Sequence, residues 1–270
     1  MNVLSLFDGM SCGQIALNKL GIKYDNYFAS EIKSYAIKVT QENYPGTIQL
    51  GDITKIKGKD LPKIDLLIGG SPCQDFSQAN KERKGIYGEK SGLFWEFARL
   101  LEETKPKYFL LENVKMKKEH QDIISNILGV QPININSKVV SAQMRNRFYW
   151  TNIPNVTAPD KVDVKLSDIL TSGYTTKEKA YCLLESESRP QSTNWKRFRR
   201  WRKKGFVNIV FETPDLNLFR NRILNQVELE RLQTVPEGYT SSLNRNDAAC
   251  LLGDGWTVDV IAHIFKNIEQ

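Results

Sequence analysis

The stretch IDLLIGGSPCQDFSQAN, residues 64–80, carries an apolar run into two glycines, a proline and a cysteine. A cysteine is usually a small core hydrophobe, but its thiolate is the strongest nucleophile among the side chains. Cys73 follows Gly69, Gly70, Ser71 and Pro72, a setting that suits a loop presenting a nucleophile; Cys12, Cys182 and Cys250 suit the buried role better. The next apolar run, KYFLLENV, delivers Glu112. Standing at a neighbouring strand end, that acid could meet Cys73 over one substrate, or act only as a cap or ion-pair partner. Further on, SAQMRNRFYW sets Arg145 and Arg147 two apart, so an extended segment puts both on one face. Such a pair suits phosphate or carboxylate binding, or a solvated edge strand. A thiol hydrolase would need a histidine partner, and His120 in the charged KKEHQD and His263 in an apolar helix both read as structural or exposed.

A second group of residues points to a nucleoside. In FDGMSCG, residues 7–13, glycines let the backbone approach a ligand before a helix begins. Glu31, in ASE, stands about 20 residues beyond that turn, where doubly wound nucleotide sites keep an acid for ribose hydroxyls. Asp52, in GDI, offers an acceptor for an exocyclic amine. Each acid alone reads as a helix cap; with the glycine turn, they favour an adenosine-containing ligand. No phosphate-loop lysine accompanies them, so a nucleoside without a triphosphate is preferred.

These residues all follow short apolar runs that alternate with helix-like stretches in the first half of the chain. That pattern predicts an α/β fold, a doubly wound, mostly parallel, Rossmann-like sheet with ligands beyond the carboxyl ends of its strands. From Val156 the pattern gives way to polar, Ser/Thr-rich sequence, and apolar periodicity resumes in ILNQVELERLQTV and DVIAHIF. Asn225 with Glu228 three residues later predicts a capping box.

Composition is consistent with this scheme. At 270 residues and 40% hydrophobic, the chain can build one large domain with a smaller appendage. Four cysteines without a CxxC pair, and two histidines, suggest neither a zinc cluster nor a disulfide framework. The net charge of +7 is compatible with a polyanionic partner. No apolar run reaches the roughly 18 residues of a membrane span, and MNVLSLFDGM lacks a basic leader, so a cytoplasmic location is expected. The charge concentrates in NWKRFRRWRKKGF, residues 194–206. If helical, it turns Trp195, Phe198 and Trp201 inward and Lys196, Arg197, Arg199, Arg200, Arg202, Lys203 and Lys204 outward.

Taken in order, FDGMSCG, GGSPCQDFS, ENV, QMRNR, RILNQVELERLQTVP and GDGWTVDVIAHIF resemble the motifs of the DNA cytosine-5 methyltransferases of bacterial and phage type. The resemblance spans the chain except for roughly 156–220. It implies a catalytic and cofactor-binding domain over 1–155, a small target-recognition domain over 156–245 and a segment, 246–270, that rejoins the first. It implies S-adenosylmethionine as the methyl donor, S-adenosylhomocysteine as the product, and no metal. Cys73 would add to C6 of a cytosine flipped out of duplex DNA, making C5 nucleophilic. Glu112 would bind or protonate the ring at N3, Arg147 would contact the ring carbonyl and orient the acid, and Arg145 would help in positioning.

By the same resemblance, Phe7 would pack on adenine, Gly9 would pass the methionine end, Glu31 would hold the ribose, and Asp52 with Ile53 would read the adenine. Trp256 would close the pocket, lined further by Ser11, Cys12, Gly13, Ile32, Ser71, Pro72 and Asp254. Ser11 and Cys12 stand where many members have two glycines, and Asp254 where an asparagine is common. DNA would be held by Gln74, Ser77, Arg231 and the basic segment, phosphate contacts giving salt-dependent affinity and base contacts giving sequence choice. One chain can build one site, so a monomer is expected, without a membrane; a cognate restriction endonuclease acting separately is a compatible partner. A tRNA cytosine methyltransferase and a non-catalytic DNA-binding regulator share the fold and remain alternatives.

Overall fold

Short runs dense in branched and aromatic residues, such as NVLSL, LLIGG and YFLLENV, form the central strands of the chain. The computed structural model describes residues 1–71, 92–204 and 207–269; Pro72, Cys73, Gln74 and Ser77 lie outside them, as does the Lys204 side chain. The strands are β1 (Asn2–Leu6), β2 (Asn26–Ser30), β3 (Ile48–Gln49), β4 (Leu66–Gly70), β5 (Tyr108–Val114), β6 (Ile133–Asn136), β7 (Gln143–Met144), β8 (Asn146–Thr151), β9 (Ala180–Tyr181), β10 (Ile209–Phe211) and β11 (Asn221–Ile223). The helices are α1 (Cys12–Lys19), α2 (Ser34–Asn43), α3 (Leu93–Thr104), α4 (Lys118–Leu128), α5 (Leu166–Ile169), α6 (Asn194–Lys204), α7 (Gln226–Leu232), α8 (Arg245–Asp254) and α9 (Val258–Phe265).

The chain divides into two units. The first comprises Met1–Ile135, Asn146–Ala158 and Ile261–Gln270, and the second Asn136–Arg145 and Pro159–Val260. Against the expected boundaries, the first unit regains the chain at Ile261 instead of 246, and QMRNR is divided between the two units.

The main sheet has the order β3-β2-β1-β4-β5-β8-β6. β1 pairs in parallel with β2 and β4, β2 with β3 and β4 with β5, while β8 runs antiparallel to β5. Strand order therefore reverses between β1 and β4, the place where open α/β sheets open a crevice at their carboxyl ends. The pattern-based expectation of a mostly parallel doubly wound sheet is met. Its core is built from Leu4, Leu6, Phe28, Leu67, Phe109, Leu111 and Trp150 on the strands, with Phe94, Phe97 and Leu100 from α3 and Ile124 and Leu128 from α4. The helical residues recur at spacings of three and four, so each helix buries one stripe. Each fully buried side chain of this size contributes about 1.5–3 kcal/mol, which anchors the strands whose ends carry the polar residues.

The second unit has a parallel pair, β7 with β9, and an antiparallel pair, β10 with β11. Phe198 of α6 packs on Ile209 and Phe211, with Trp201, Val207 and Leu216 around them. At the start of α7 the capping box is formed. Asn225 accepts from the Glu228 amide at 3.0 Å, and Glu228 accepts from the Asn225 amide at 2.8 Å. The buried Glu228 carboxylate also pairs with Arg222 at 2.7 Å, leaving no isolated charge.

Candidate functional site

The first unit gathers its polar residues at the carboxyl ends of β1, β2 and β3. The loop after β1 is held in left-handed conformations at Phe7, Gly9 and Ser11, with φ of 57°, 60° and 60°. Phe7 and Ser11 are strained there for lack of glycine's freedom, and hydrogen bonds offset the cost. The Asp8 amide donates to Ser30 O at 3.1 Å, the Ser11 amide to Asp8 O at 3.0 Å, and the Gly9 amide to Glu31 Oε2 at 2.9 Å. Glu31 Oε1 accepts from the amides of Ile32 and Lys33 at 2.8 and 2.9 Å, so three main-chain donors orient this carboxylate. Ser30 Oγ donates to Gly51 O at 2.7 Å and ties the end of β2 to the loop that carries Asp52. Asp52 caps the next turn by accepting from the Thr54 amide and hydroxyl, and that amide holds its carboxyl below the usual range.

Of the other residues expected around this site, Ile32 is 75% exposed, whereas the side chains of Cys12 and Ile53 are buried in the core. A Cβ on Gly13 would meet Ile68 Cδ1 at 2.3 Å and the Tyr27 hydroxyl at 2.7 Å, so its missing side chain lets α1 lie against the sheet. Asp254, the last residue of α8, and Trp256, two residues on, belong to the second unit.

Beneath the loop lies a buried polar network that the sequence reading did not identify. Asp8 accepts from the Tyr27 hydroxyl at 2.9 Å and from the Ser11 hydroxyl. Gln14 links Ser11 to Thr47 at 3.1 and 2.8 Å. The only signal in the sequence was an acid inside an otherwise small and apolar loop. Burial pushes the Asp8 carboxyl up to about 6, with the Glu31 charge adding to the effect and the bonds from Ser11, Ser5 and Tyr27 opposing it.

A raised folded-state value means that the folded chain holds this proton more tightly than the unfolded one. The resulting stability is complete below pH 3.8 and is lost as pH rises through 6. The full difference is worth about 3 kcal/mol. Asp8→Asn cannot ionise, so urea denaturation from pH 4 to pH 7.5 should show its stability rising relative to wild type across that window. Parallel profiles would mean that Asp8 ionises equally in both states.

The second cluster stands at the ends of β4 and β5, across the reversal in strand order. Gly70 is the Cα partner of Glu112. Glu112 faces Tyr149 in the antiparallel register, with Arg147 two residues away on the same face of β8. Arg147 Nε lies 2.8 Å from Glu112 Oε1, with the two side chains 12% and 10% exposed. The adjacent Asn113 points to the other face of the strand, where its Nδ2 donates to Ser71 Oγ at 2.9 Å. Sequence reasoning passed over Asn113 as a functional residue; the available signal was a second polar residue in an apolar run. Cys73, Gln74, Ser77 and Pro72, the remainder of this expected cluster, lie outside the described residues.

Arg145 does not share a face with Arg147. It sits between β7 and β8 in the second unit, 3% exposed, where its guanidinium donates to the carbonyls of Leu183, Gly253 and Gly255 at 3.0, 3.2 and 2.8 Å. These contacts join three segments of that unit.

The basic segment forms α6 as expected, with Lys196, Arg199, Arg200, Arg202 and Lys203 exposed. Arg197 departs from the expected outward set. Its guanidinium donates to Gln191 O at 3.0 Å and Asn221 Oδ1 at 3.2 Å within the unit. Arg231 is bound to Glu237 at 2.8 Å and to Ile169 O at 2.9 Å. Among the aromatics, Phe198 is buried, but Trp195 turns outward and stacks on Phe219. Among the described residues no group of three or more His, Cys, Asp or Glu side chains could hold a metal ion.

Residues 1–130 match the family of C-5 cytosine-specific DNA methylases. The orphan methyltransferase M.SPRI of Bacillus phage SPR is 35% identical over 191 residues, covering 64% of this chain and 43% of that protein. The type II methyltransferase M.NgoBV of Neisseria gonorrhoeae is 34% identical over 204 residues, covering 66% and 48%. The chain thus spans less than half the length of these curated relatives. In fold it is similar to the Entamoeba histolytica methyltransferase EhMeth, with a TM-score of 0.78 at 16% identity, covering 100% of this chain and 99% of that one.

Proposed function

We propose, from the match of residues 1–130 to the C-5 cytosine-specific DNA methylase family, that the chain transfers a methyl group from S-adenosylmethionine to C5 of a cytosine in duplex DNA. The observation that carries this reading is the Glu112–Arg147 pair at the end of β5, next to an Asn113 that holds Ser71, two residues ahead of Cys73.

Cytosine C5 is too electron-poor to take a methyl group directly. In the proposed reaction the Cys73 thiolate forms a bond to C6, and the electron pair of the C5–C6 double bond moves onto C5, delocalised through C4 to N3. Glu112 hydrogen-bonds the ring at N3 and the exocyclic amine, stabilising the charge that develops there. Arg147 fixes the direction of the Glu112 carboxyl through its 2.8 Å contact. C5 then takes the methyl as its bond to the donor sulfur breaks, leaving S-adenosylhomocysteine; the C5 proton passes to a base or water, and its electron pair re-forms the double bond as the Cys73–C6 bond breaks. The atoms involved are stacked inside duplex DNA, so the base must be extruded first.

The residues at the ends of β1–β3 fit the proposed methyl donor. A Cβ on Gly9 would meet nothing within 4 Å, leaving an open approach at the loop. Beside it, the fixed Glu31 carboxylate suits a ribose diol and the exposed Ile32 side chain suits the face of a purine. Bound there, S-adenosylmethionine supplies an electrophilic methyl group.

The test is transfer of labelled methyl from S-adenosylmethionine to duplex DNA and, separately, to tRNA, with bisulfite sequencing of the DNA product. Label in DNA at C5 of cytosine is the expected result. Label in tRNA alone would replace the substrate, and label in neither would remove the methyltransferase reading.

A further inference from the structure

The turn between β10 and β11 presents an unusual surface. Phe219 is 66% exposed, Leu218 38% and Trp195 48%, and the rings of Trp195 and Phe219 stack with centroids 5.9 Å apart and planes at 21°. Adjacent exposed rings forgo the hydrophobic gain that burial would bring, and a contiguous patch of this kind marks a contact site.

The main chain beneath these side chains is firmly held. The Phe219 amide donates to Asn217 Oδ1 at 2.9 Å, Phe219 O accepts from Asn194 Nδ2 at 2.6 Å, and Leu218 O accepts from Asn221 Nδ2 at 2.8 Å. Arg197 donates to Asn221 O at 3.1 Å, which accounts for its departure from the outward set. An apolar tip on a braced turn is pre-organised for binding, because little conformational entropy remains to be lost.

The charge around the tip identifies its partner. Arg199 and Arg202 follow Trp195 by four and seven residues on α6 and so share its face, both exposed, and Arg220 is exposed beside Phe219. A polyanion with apolar faces or edges complements this combination, as a nucleic acid does.

Resting on the DNA methyltransferase reading, we propose that Leu218, Phe219 and Arg220, with Trp195 stacked behind Phe219, form the element that selects bases in the target DNA. Arg199 and Arg202 bind the flanking phosphates. The apolar part of the tip suits the methyl group of thymine, and the Arg220 guanidinium suits the O6 and N7 edge of guanine.

The test is methylation of duplexes with randomised bases around the cytosine, read by bisulfite sequencing, for wild type, Phe219→Ala, Phe219→Leu, Arg220→Ala and Arg199→Ala. Phe219→Ala is expected to lower discrimination by about tenfold or more at an A·T pair of the site, and Arg220→Ala likewise at a G·C pair. Phe219→Leu keeps an apolar tip should the alanine variant fold poorly, and is expected to shift the same position. Arg199→Ala should weaken binding to all sequences alike and reduce the slope of log affinity against log salt by about 1. Sequence profiles of both Phe219 variants that superimpose on wild type, or losses equal at all sequences, would overturn the assignment alone. A wild-type chain that methylates no DNA would remove the underlying reading and this assignment with it.

Discussion

Glu112→Gln should lower the maximal rate of methyl transfer to DNA by about 10²–10⁴-fold while the chain stays folded and still binds S-adenosylmethionine. Glutamine keeps the shape of the side chain and can still accept from Arg147 Nε, but it neither carries the charge nor shifts a proton toward N3. The partner matters too, because the pair is mostly buried, with Arg147 12% and Glu112 10% exposed. Truncating one partner of a buried pair leaves the other charge with neither counter-charge nor acceptor, at a cost of about 3–5 kcal/mol, so alanine would confuse folding with chemistry, whereas glutamine keeps the acceptor for Arg147.

A double-mutant cycle with Arg147→Met separates the roles. If Arg147 acts by orienting Glu112, the double variant should be no slower than Glu112→Gln, whereas independent roles would make the two losses multiply. Single-turnover rates at saturating cofactor, alongside thermal denaturation, provide the measurement. A Glu112→Gln rate within about threefold of wild type would remove Glu112 from the chemistry.

The largest loss is expected from Cys73→Ser, with transfer falling to the background of the assay. A free thiol has a pKa near 8.5, which leaves a few per cent thiolate at neutral pH, and this fraction is what attacks C6. A hydroxyl is far less acidic than a thiol, so a serine at this position supplies almost no anionic nucleophile at neutral pH. DNA carrying 5-fluorocytosine gives a direct reading. With fluorine at C5 there is no proton to remove after methylation, so Cys73 cannot be expelled and the protein should stay attached in denaturing gels. Cys73→Ser should form no such adduct, and an adduct that persists in the variant would place the nucleophile elsewhere.

Much of the architecture was legible in the chain because it depends on short-range patterns. Apolar runs ending in glycine or an acid, such as LLIGG and YFLLENV, marked strands and their ends, since burial on both faces demands continuous apolar sequence and the ends meet solvent. Asn225 and Glu228 announced the capping box by spacing alone, because the bonds of a helix's first turn are local. Among the candidate residues, Glu31 and Asp52 could be chosen as the first acids after their strands, and Glu112 as the acid near the end of an apolar one.

Other assignments depended on which distant segments meet. Arg145 and Arg147 look equivalent in QMRNR, yet one is held by the carbonyls of Leu183, Gly253 and Gly255 and the other by Glu112. Their spacing could not reveal this, because the chain breaks its extended run between β7 and β8. Gly13 has a packing reason that its sequence context does not show: Ile68 and the Tyr27 hydroxyl stand where its side chain would be. Helical periodicity grouped Trp195 with Phe198 and Trp201, but the outward stack on Phe219 comes from a turn more than 20 residues away.

The sequence by itself determined the order of elements, the alternation that makes the sheet, and the types of residue that stand at the strand ends, because periodicity, turns and caps act over a few residues. The tertiary structure alone decided which of those residues share a site, through the Glu112–Arg147 pair, the Asn113–Ser71 bond and the Asp8 network beneath the loop. Burial and hydrogen-bond partnership are properties of segments brought together across the sheet, and no local pattern encodes them.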